Sequence, residues 1–290
     1  MTETATFDHL LLGVGAMKAG TTWMYDALNR HPDIHFCREK EVHYLYARHV
    51  NASILSDAAR MRRAQGYLRF DPEASALPVL QKRVAWTARW LDGAVDDTWF
   101  KNLYRDRGAA RWIADFSNMN ALVPEEGWAA LHARTRKLRV LYTLRDPLDR
   151  LWSHVRFHLK VQGASEKLNV WSLDELERHI RHDVDYLAHN DYVAAIERMR
   201  AALPRDCLRI DVFDRIRAEP RAFIADIERF LELPAVDLPD RITSRVVNPS
   251  PPRPLPEGLA ARFAEDVARQ IDGLKSLGVA VPETWGQTFR

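Results

Sequence analysis

Near the start of the chain, HLLLGVGAMKAGTTWMYDAL sets an apolar run, a glycine-rich turn and a helix-like pattern in one continuous stretch. A strand that stops at spaced glycines and resumes as a helix lines up backbone N–H groups with the positive helix end. That arrangement suits an oxyanion. In the ordinary nucleoside-triphosphate loop, G-x-x-x-x-G-K-[ST], a lysine follows the second glycine and the next hydroxyl holds Mg²⁺. Here Gly15 and Gly20 keep the glycine spacing and Thr22 keeps the hydroxyl, but Thr21 stands in the lysine's place and Lys18 lies inside the turn. The pattern predicts an anion cradle with chemistry other than metal-assisted triphosphate cleavage.

A second junction appears in KLRVLYTLRDPLDRLWSHVRFHLK. The apolar pattern predicts a buried strand over Leu138 to Leu144, followed by Asp146 as N-cap and Pro147 in the first turn of a helix. Arg145 then sits at the carboxyl end of a strand, with Ser153 about two turns into the helix on the side of Asp149 and Arg156. Ligands of open α/β sheets bind outside the carboxyl ends of strands, so this junction and the first loop are expected to face one crevice. Arg150 reads as a partner on the helix surface. The run RTRKLR, Arg134 to Arg139, reads as a helix end where cations suit the dipole.

Strand and helix patterns alternate along the chain without a Ser/Gly linker or an internal repeat, which predicts one α/β domain over residues 1–290. Residues 52–105 read as helical cover, with Trp86, Trp90 and Trp99 expected in the core rather than as a sugar platform. Short strands are expected at Asp8 to Val14, Ile34 to Cys37, Trp112 to Phe116 and Cys207 to Val212. A stiff proline-rich loop over 244–256 precedes a final helix from Glu257 to Lys275. Forty-two Lys and Arg against forty Asp and Glu leave a net charge of +2, without the strong basic excess expected of a nucleic-acid partner. No basic-then-apolar leader and no apolar run of about 20 residues is present, so neither a signal peptide nor a membrane span is expected. Two cysteines, Cys37 and Cys207, imply no disulfide framework or metal-ligand spacing, which points to a reducing, cytoplasmic setting.

The loop over 13–22, with its early lysine and Thr-Thr pair, resembles the 5′-phosphosulfate loop of sulfotransferases that use 3′-phosphoadenosine 5′-phosphosulfate (PAPS). The R-D-P-x-x-R-x-x-S pattern over 145–153 resembles the same family's 3′-phosphate motif. RHPDIHFCREKEVHYL is similar to the K-E-x-H-[FY]-[FL] segment of its glycan-type members, and residues 99–119 and 203–233 resemble its middle and late segments. The resemblance implies a P-loop NTPase-like three-layer fold, a central parallel sheet flanked by helices. It implies that Lys18 stabilises the leaving oxygen, that Ala19, Gly20, Thr21 and Thr22 hold the 5′-phosphate, and that Arg145 and Ser153 grip the 3′-phosphate.

Glu41 matches the family's base, with His43 as its rival because other sulfotransferases use histidine. An ordinary ion pair of Glu41 with Lys40 is the competing structural reading. Arg245, Ser250 and Arg253 in the late loop are either contacts to the 3′-phosphate or nucleotide, or solvated side chains. A sulfuryl group carries less charge than a phosphoryl group, so the implied scheme uses PAPS as co-substrate and no metal. The implied acceptor is a hydroxyl or amine of a carbohydrate, glycolipid or small metabolite. The chain departs from its relatives at Asp115 to Met119, reading DFSNM where many have Pro and Tyr after a small hydroxyl residue. Two other classes fit the loop less well: a nucleoside-triphosphate-dependent kinase, and an inactive nucleotide-binding module.

Overall fold

A computed structural model describes residues 5–182, 185–243 and 253–287. Five parallel strands form one sheet in the order β2-β3-β1-β4-β5, with β1 Phe7–Gly13, β2 Ile34–Phe36, β3 Trp112–Asp115, β4 Thr135–Leu144 and β5 Leu208–Val212. Parallel strands demand crossovers, and helices supply them on both faces. The result is the three-layer, P-loop NTPase-like α/β fold.

Side-chain alternation builds the two faces from one sequence. Leu11, Trp112, Ala114 and Leu141 point into a core shared with helix α1, Thr21–Leu28, and with the helix Pro220–Phe230. Leu10, Leu12, Ile113, Val140 and Tyr142 point to the opposite core. That second core is roofed by α2 Tyr44–His49, α3 Asp57–Tyr67, α4 Leu77–Leu91, α5 Asp97–Asn102, α6 Glu125–Ala133 and α7 Pro147–Val161. Both faces of each central strand are covered, so the strands read as nearly continuous apolar runs.

The expected helical cover is present, and Trp86, Trp90 and Trp99 are buried in it. Trp86 and Trp90 stack with centroids 5.6 Å apart, and each indole N–H reaches a backbone carbonyl. Three expectations are corrected. The run from Arg134 to Arg139 is mostly strand, because β4 starts at Thr135 and pairs with β1 from Phe7 onward; only Arg134 caps α6. Arg150 is fully buried rather than on the helix surface. Its guanidinium donates to Asn190 Oδ1 at 2.7 Å and Tyr186 O at 2.9 Å, and meets His154 Nδ1 at 3.2 Å. Those partners lie 36 and 40 residues away or on the next helical turn, so local periodicity does not disclose them. The final helix is also interrupted, running as Leu259–Arg262 and Ala264–Ser276. Among the described residues no helix is long and apolar enough to cross a membrane.

Three buried histidines tie stability to pH. Burial, ahead of neighbouring cations, pushes His43 down to about 3, His154 to about 2 and His189 to about 4. Below their ordinary value near 6.5 the unfolded chain takes up protons that the native state refuses, so stability present above that pH is lost as pH falls through these values. Burial raises Asp115 to about 7, which acts in the opposite direction between about pH 4 and 7. Burial also lowers His9, His35, His49 and His158 and raises Glu39, Asp146 and Glu228, so lowered histidines outnumber raised carboxyls by seven to four, each with a slope of up to about 1.4 kcal/mol per pH unit. The thermal midpoint is therefore expected to fall between pH 7 and pH 5, with a shallower fall in His189→Asn. A midpoint that stays flat over that interval contradicts neutral burial of the three rings.

Candidate active site

The glycine loop is fastened to the neighbouring strand. Beyond the end of β1, Val14 N–H donates to Leu141 O at 3.0 Å, Ala16 N–H to Thr143 O at 2.7 Å, and Thr143 N–H to Gly15 O at 2.9 Å. The β1–β4 pairing thus continues into the loop. Gly15 and Gly20 adopt positive φ, and Gly20 is the N-cap of α1 without a side-chain cap. Met24 N–H makes the first helical bond, to Gly20 O. Among the described residues, the N–H groups of Thr21, Thr22 and Trp23 have no acceptor. They are the orphan donors that every helix start presents.

Lys18 takes a left-handed backbone, φ 71, and His43 does the same at φ 61. Only Glu232 joins them among the described non-glycine residues. Such a backbone strains an L-residue by about 1–2 kcal/mol. Two of these three positions were singled out from sequence as reactive side chains, which fits the clustering of strain at functional sites.

The Lys18 ammonium stands 4.4 Å from the centre of the Phe157 ring on α7. Burial holds its pKa below the ordinary lysine range, and Arg145, Arg156, Lys160 and Lys40 depress it further. Arg145, just past β4, donates to Lys18 O at 3.3 Å and to Asp149 Oδ2 at 3.2 Å, and lies 5.3 Å from the Phe213 ring centre. Its own carbonyl accepts from Tyr192 Oη at 3.0 Å. Asp146 caps α7 through the N–H groups of Leu148 and Asp149 and also accepts from Gly286 N–H. Ser153 is buried on α7. Trp152, beside it, donates to Arg253 O at 3.0 Å, while the Arg253 guanidinium donates to Leu168 O and Asn169 Oδ1. Arg245 and Ser250 lie outside the described residues.

Glu41 follows β2 on a segment held from several sides. Lys40 Nζ donates to Glu41 Oε1 at 3.1 Å and to Thr22 Oγ1 at 3.2 Å, so the pair is half-buried and anchored to the glycine loop rather than a solvated surface contact. Asn118 Nδ2 donates to Glu41 Oε2 at 3.1 Å, and His43 Nε2 lies 3.6 Å from the same oxygen. Arg63 on α3 donates to Glu41 O at 3.3 Å. Sequence reading left out Lys40 as a bridge and Asn118 altogether. The signal for Asn118 was the departure at DFSNM itself. Among the described residues, no group of three or more His, Cys, Asp or Glu side chains is placed to hold a metal ion.

The glycine loop, the cations around it and the Glu41 carboxylate tied to it through Lys40 thus stand together at the carboxyl edge of the parallel sheet. The family model described as "Sulfotransferase family" matches residues 11–237, and the chain belongs to that family. Solved structures agree in fold. A sulfotransferase from Alicyclobacillus acidocaldarius aligns at TM-score 0.64 and 18% identity, over 93% of this chain and 96% of that one. The sulfotransferase domain of the Synechococcus PCC 7002 olefin synthase aligns at TM-score 0.56 and 14% identity, over 97% and 98%. The sulfotransferase domain from the curacin biosynthetic pathway aligns at TM-score 0.52 and 12% identity, over 97% and 100%. No curated protein sequence matches the chain.

The packing of the loop makes one position especially sensitive. A Cβ on Gly20 would meet Ile216 Cδ1 and Phe213 Cδ2 at 2.9 Å, on a backbone of φ +83 that L-residues avoid. Gly20→Ala is expected to destabilise the fold by about 1–3 kcal/mol, measured by denaturant titration. Unchanged stability would mean that the loop is not held in this conformation.

Proposed function

We propose that the chain transfers a sulfuryl group from PAPS to a hydroxyl or amine of a carbohydrate, glycolipid or small metabolite. Support comes chiefly from Lys18, an ammonium depressed by burial and by four neighbouring cations, whose mutual repulsion a bound polyanion would relieve. The N–H groups of Gly20 to Thr22 and the two threonine hydroxyls receive the 5′-phosphate; the Ala19 N–H, expected there as well, is donated to Ala16 O at 3.1 Å. Arg145 and Ser153 receive the 3′-phosphate.

In the reaction Glu41 takes the proton of the acceptor as its oxygen or nitrogen attacks sulfur. A bond to sulfur forms, and the bond from sulfur to the bridging oxygen breaks. The electron pair leaves on the 5′-phosphate of 3′-phosphoadenosine 5′-phosphate, where the Lys18 ammonium offsets the developing charge. Glu41 is favoured over His43 because burial has pushed the imidazole down to about 3, which makes it a weak proton acceptor at neutral pH. His43, neutral and close to Glu41 Oε2, suits a supporting part.

Incubation with labelled PAPS and a panel of sugars, glycolipids and amino alcohols, read by mass spectrometry, is expected to show gain of one sulfuryl group. Glu41→Gln should lower turnover at least about 100-fold, with binding of 3′-phosphoadenosine 5′-phosphate nearly unchanged. Full turnover in Glu41→Gln combined with its loss in His43→Ala would move the base to the histidine. ATP turnover in place of PAPS turnover would make the protein a kinase.

A further inference from the structure

The stretch Asp115 to Asn120 packs against the segment that carries Glu41. Asp115 Oδ1 accepts Val42 N–H at 3.1 Å, Ser117 Oγ accepts His43 N–H at 2.7 Å, and Asn120 Oδ1 accepts Tyr46 N–H at 3.2 Å. Phe116 N–H adds a bond to Lys40 O at 3.2 Å. Three side chains and one amide thus clamp the backbone over residues 40–46.

Asn118, in the middle of this clamp, behaves differently. It reaches past the backbone to the carboxylate itself, donating Nδ2 to Glu41 Oε2. With Lys40 on Oε1, each carboxylate oxygen receives one donor and keeps lone-pair capacity for an incoming proton. The opposite setting of the amide would place two acceptors face to face. Asn118 Oδ1, on the far side of the amide, is buried with no partner among the described residues.

We propose that Asn118 is a positioning residue for this reaction, fixing the Glu41 carboxylate so that a free lone pair meets the acceptor's proton. The chain Thr22–Lys40–Glu41–Asn118 runs from the glycine loop to the end of β3 and sets base and donor at a constant separation. Lys40 alone leaves the carboxylate free to turn about one contact. The neutral amide adds a second fixed point without adding charge. This rests on Glu41 being the base.

Displacing a catalytic group by about 1 Å lowers rate on the order of 100-fold. Asn118→Ala is therefore expected to lower kcat about 10- to 100-fold. Its KM for PAPS, and its affinity for 3′-phosphoadenosine 5′-phosphate, should change less than about twofold if only the base is misplaced. Asn118→Asp keeps the shape but sets a second carboxylate against Glu41, so its kcat should fall further than that of the alanine variant.

A role confined to packing predicts the reverse order, because aspartate fills the space that alanine vacates. That reversed order, or wild-type kcat in Asn118→Ala, overturns the proposal. Should the aspartate variant fail to fold, the kcat and KM of Asn118→Ala decide alone. Glu41→Gln separates the two levels. Full activity there removes the base assignment and this proposal together, whereas an inactive Glu41→Gln beside fully active Asn118 variants removes only the role of Asn118.

Discussion

The site depends on the continuation of β1–β4 pairing beyond the end of β1. Three backbone hydrogen bonds, between Val14 and Leu141 and between Thr143 and the pair Gly15 and Ala16, carry the ladder into the glycine loop. Because Thr143 is two residues from Arg145, the loop and the arginine inherit a common register from the sheet. The bond from Arg145 to Lys18 O is the consequence. Two cations far apart in sequence are delivered to one edge by strand pairing, before any side-chain preference acts.

A second element of order comes from β3. Its end reads Asp115-Phe116-Ser117-Asn118, and the polar side chains alternate with a ring that fills the space against Gly13. A Cβ on Gly13 would meet the Phe116 ring at 2.5 Å, so the ring can lie against β1 only because Gly13 has no side chain. Ser117 and Asp115 are thereby held inward, where they collect the N–H groups of the Glu41 segment. Burial raises the Asp115 carboxyl to about 7, and the hydrogen bonds from Ser117 and Val42 partly offset that rise. The same contacts that supply partners for buried amides also fix where Glu41 projects.

Much of this was legible in the sequence. The strand and helix alternation, the glycine loop, the Asp146 cap and the buried tryptophans follow from periodicity and capping rules that act within a few residues. Residues whose roles depend on distant partners were harder to read. Arg150 has ordinary helix-surface spacing, yet Asn190 and Tyr186 draw it inside. The cations of Arg136 and Lys137 resemble a helix terminus until β1 recruits them into β4. Asn118 shows only as an unusual letter in a familiar segment, because its partner lies 77 residues earlier. Local rules place the elements; long-range pairing decides which polar residues serve the site.

In the proposed reaction Lys18 and Arg145 form a cradle for a nucleotide with phosphates at both the 5′ and 3′ positions, in a loop whose Thr21 replaces the triphosphate lysine. Calorimetric titration in EDTA with 3′-phosphoadenosine 5′-phosphate and with adenosine 5′-phosphate, for the wild type and Arg145→Ala, tests it most directly. Metal-independent binding is expected, at least about tenfold tighter for the 3′-phosphorylated nucleotide, with that preference largely lost in Arg145→Ala. Equal affinity for the two nucleotides, or binding that appears only with Mg²⁺ and favours ATP, would contradict it.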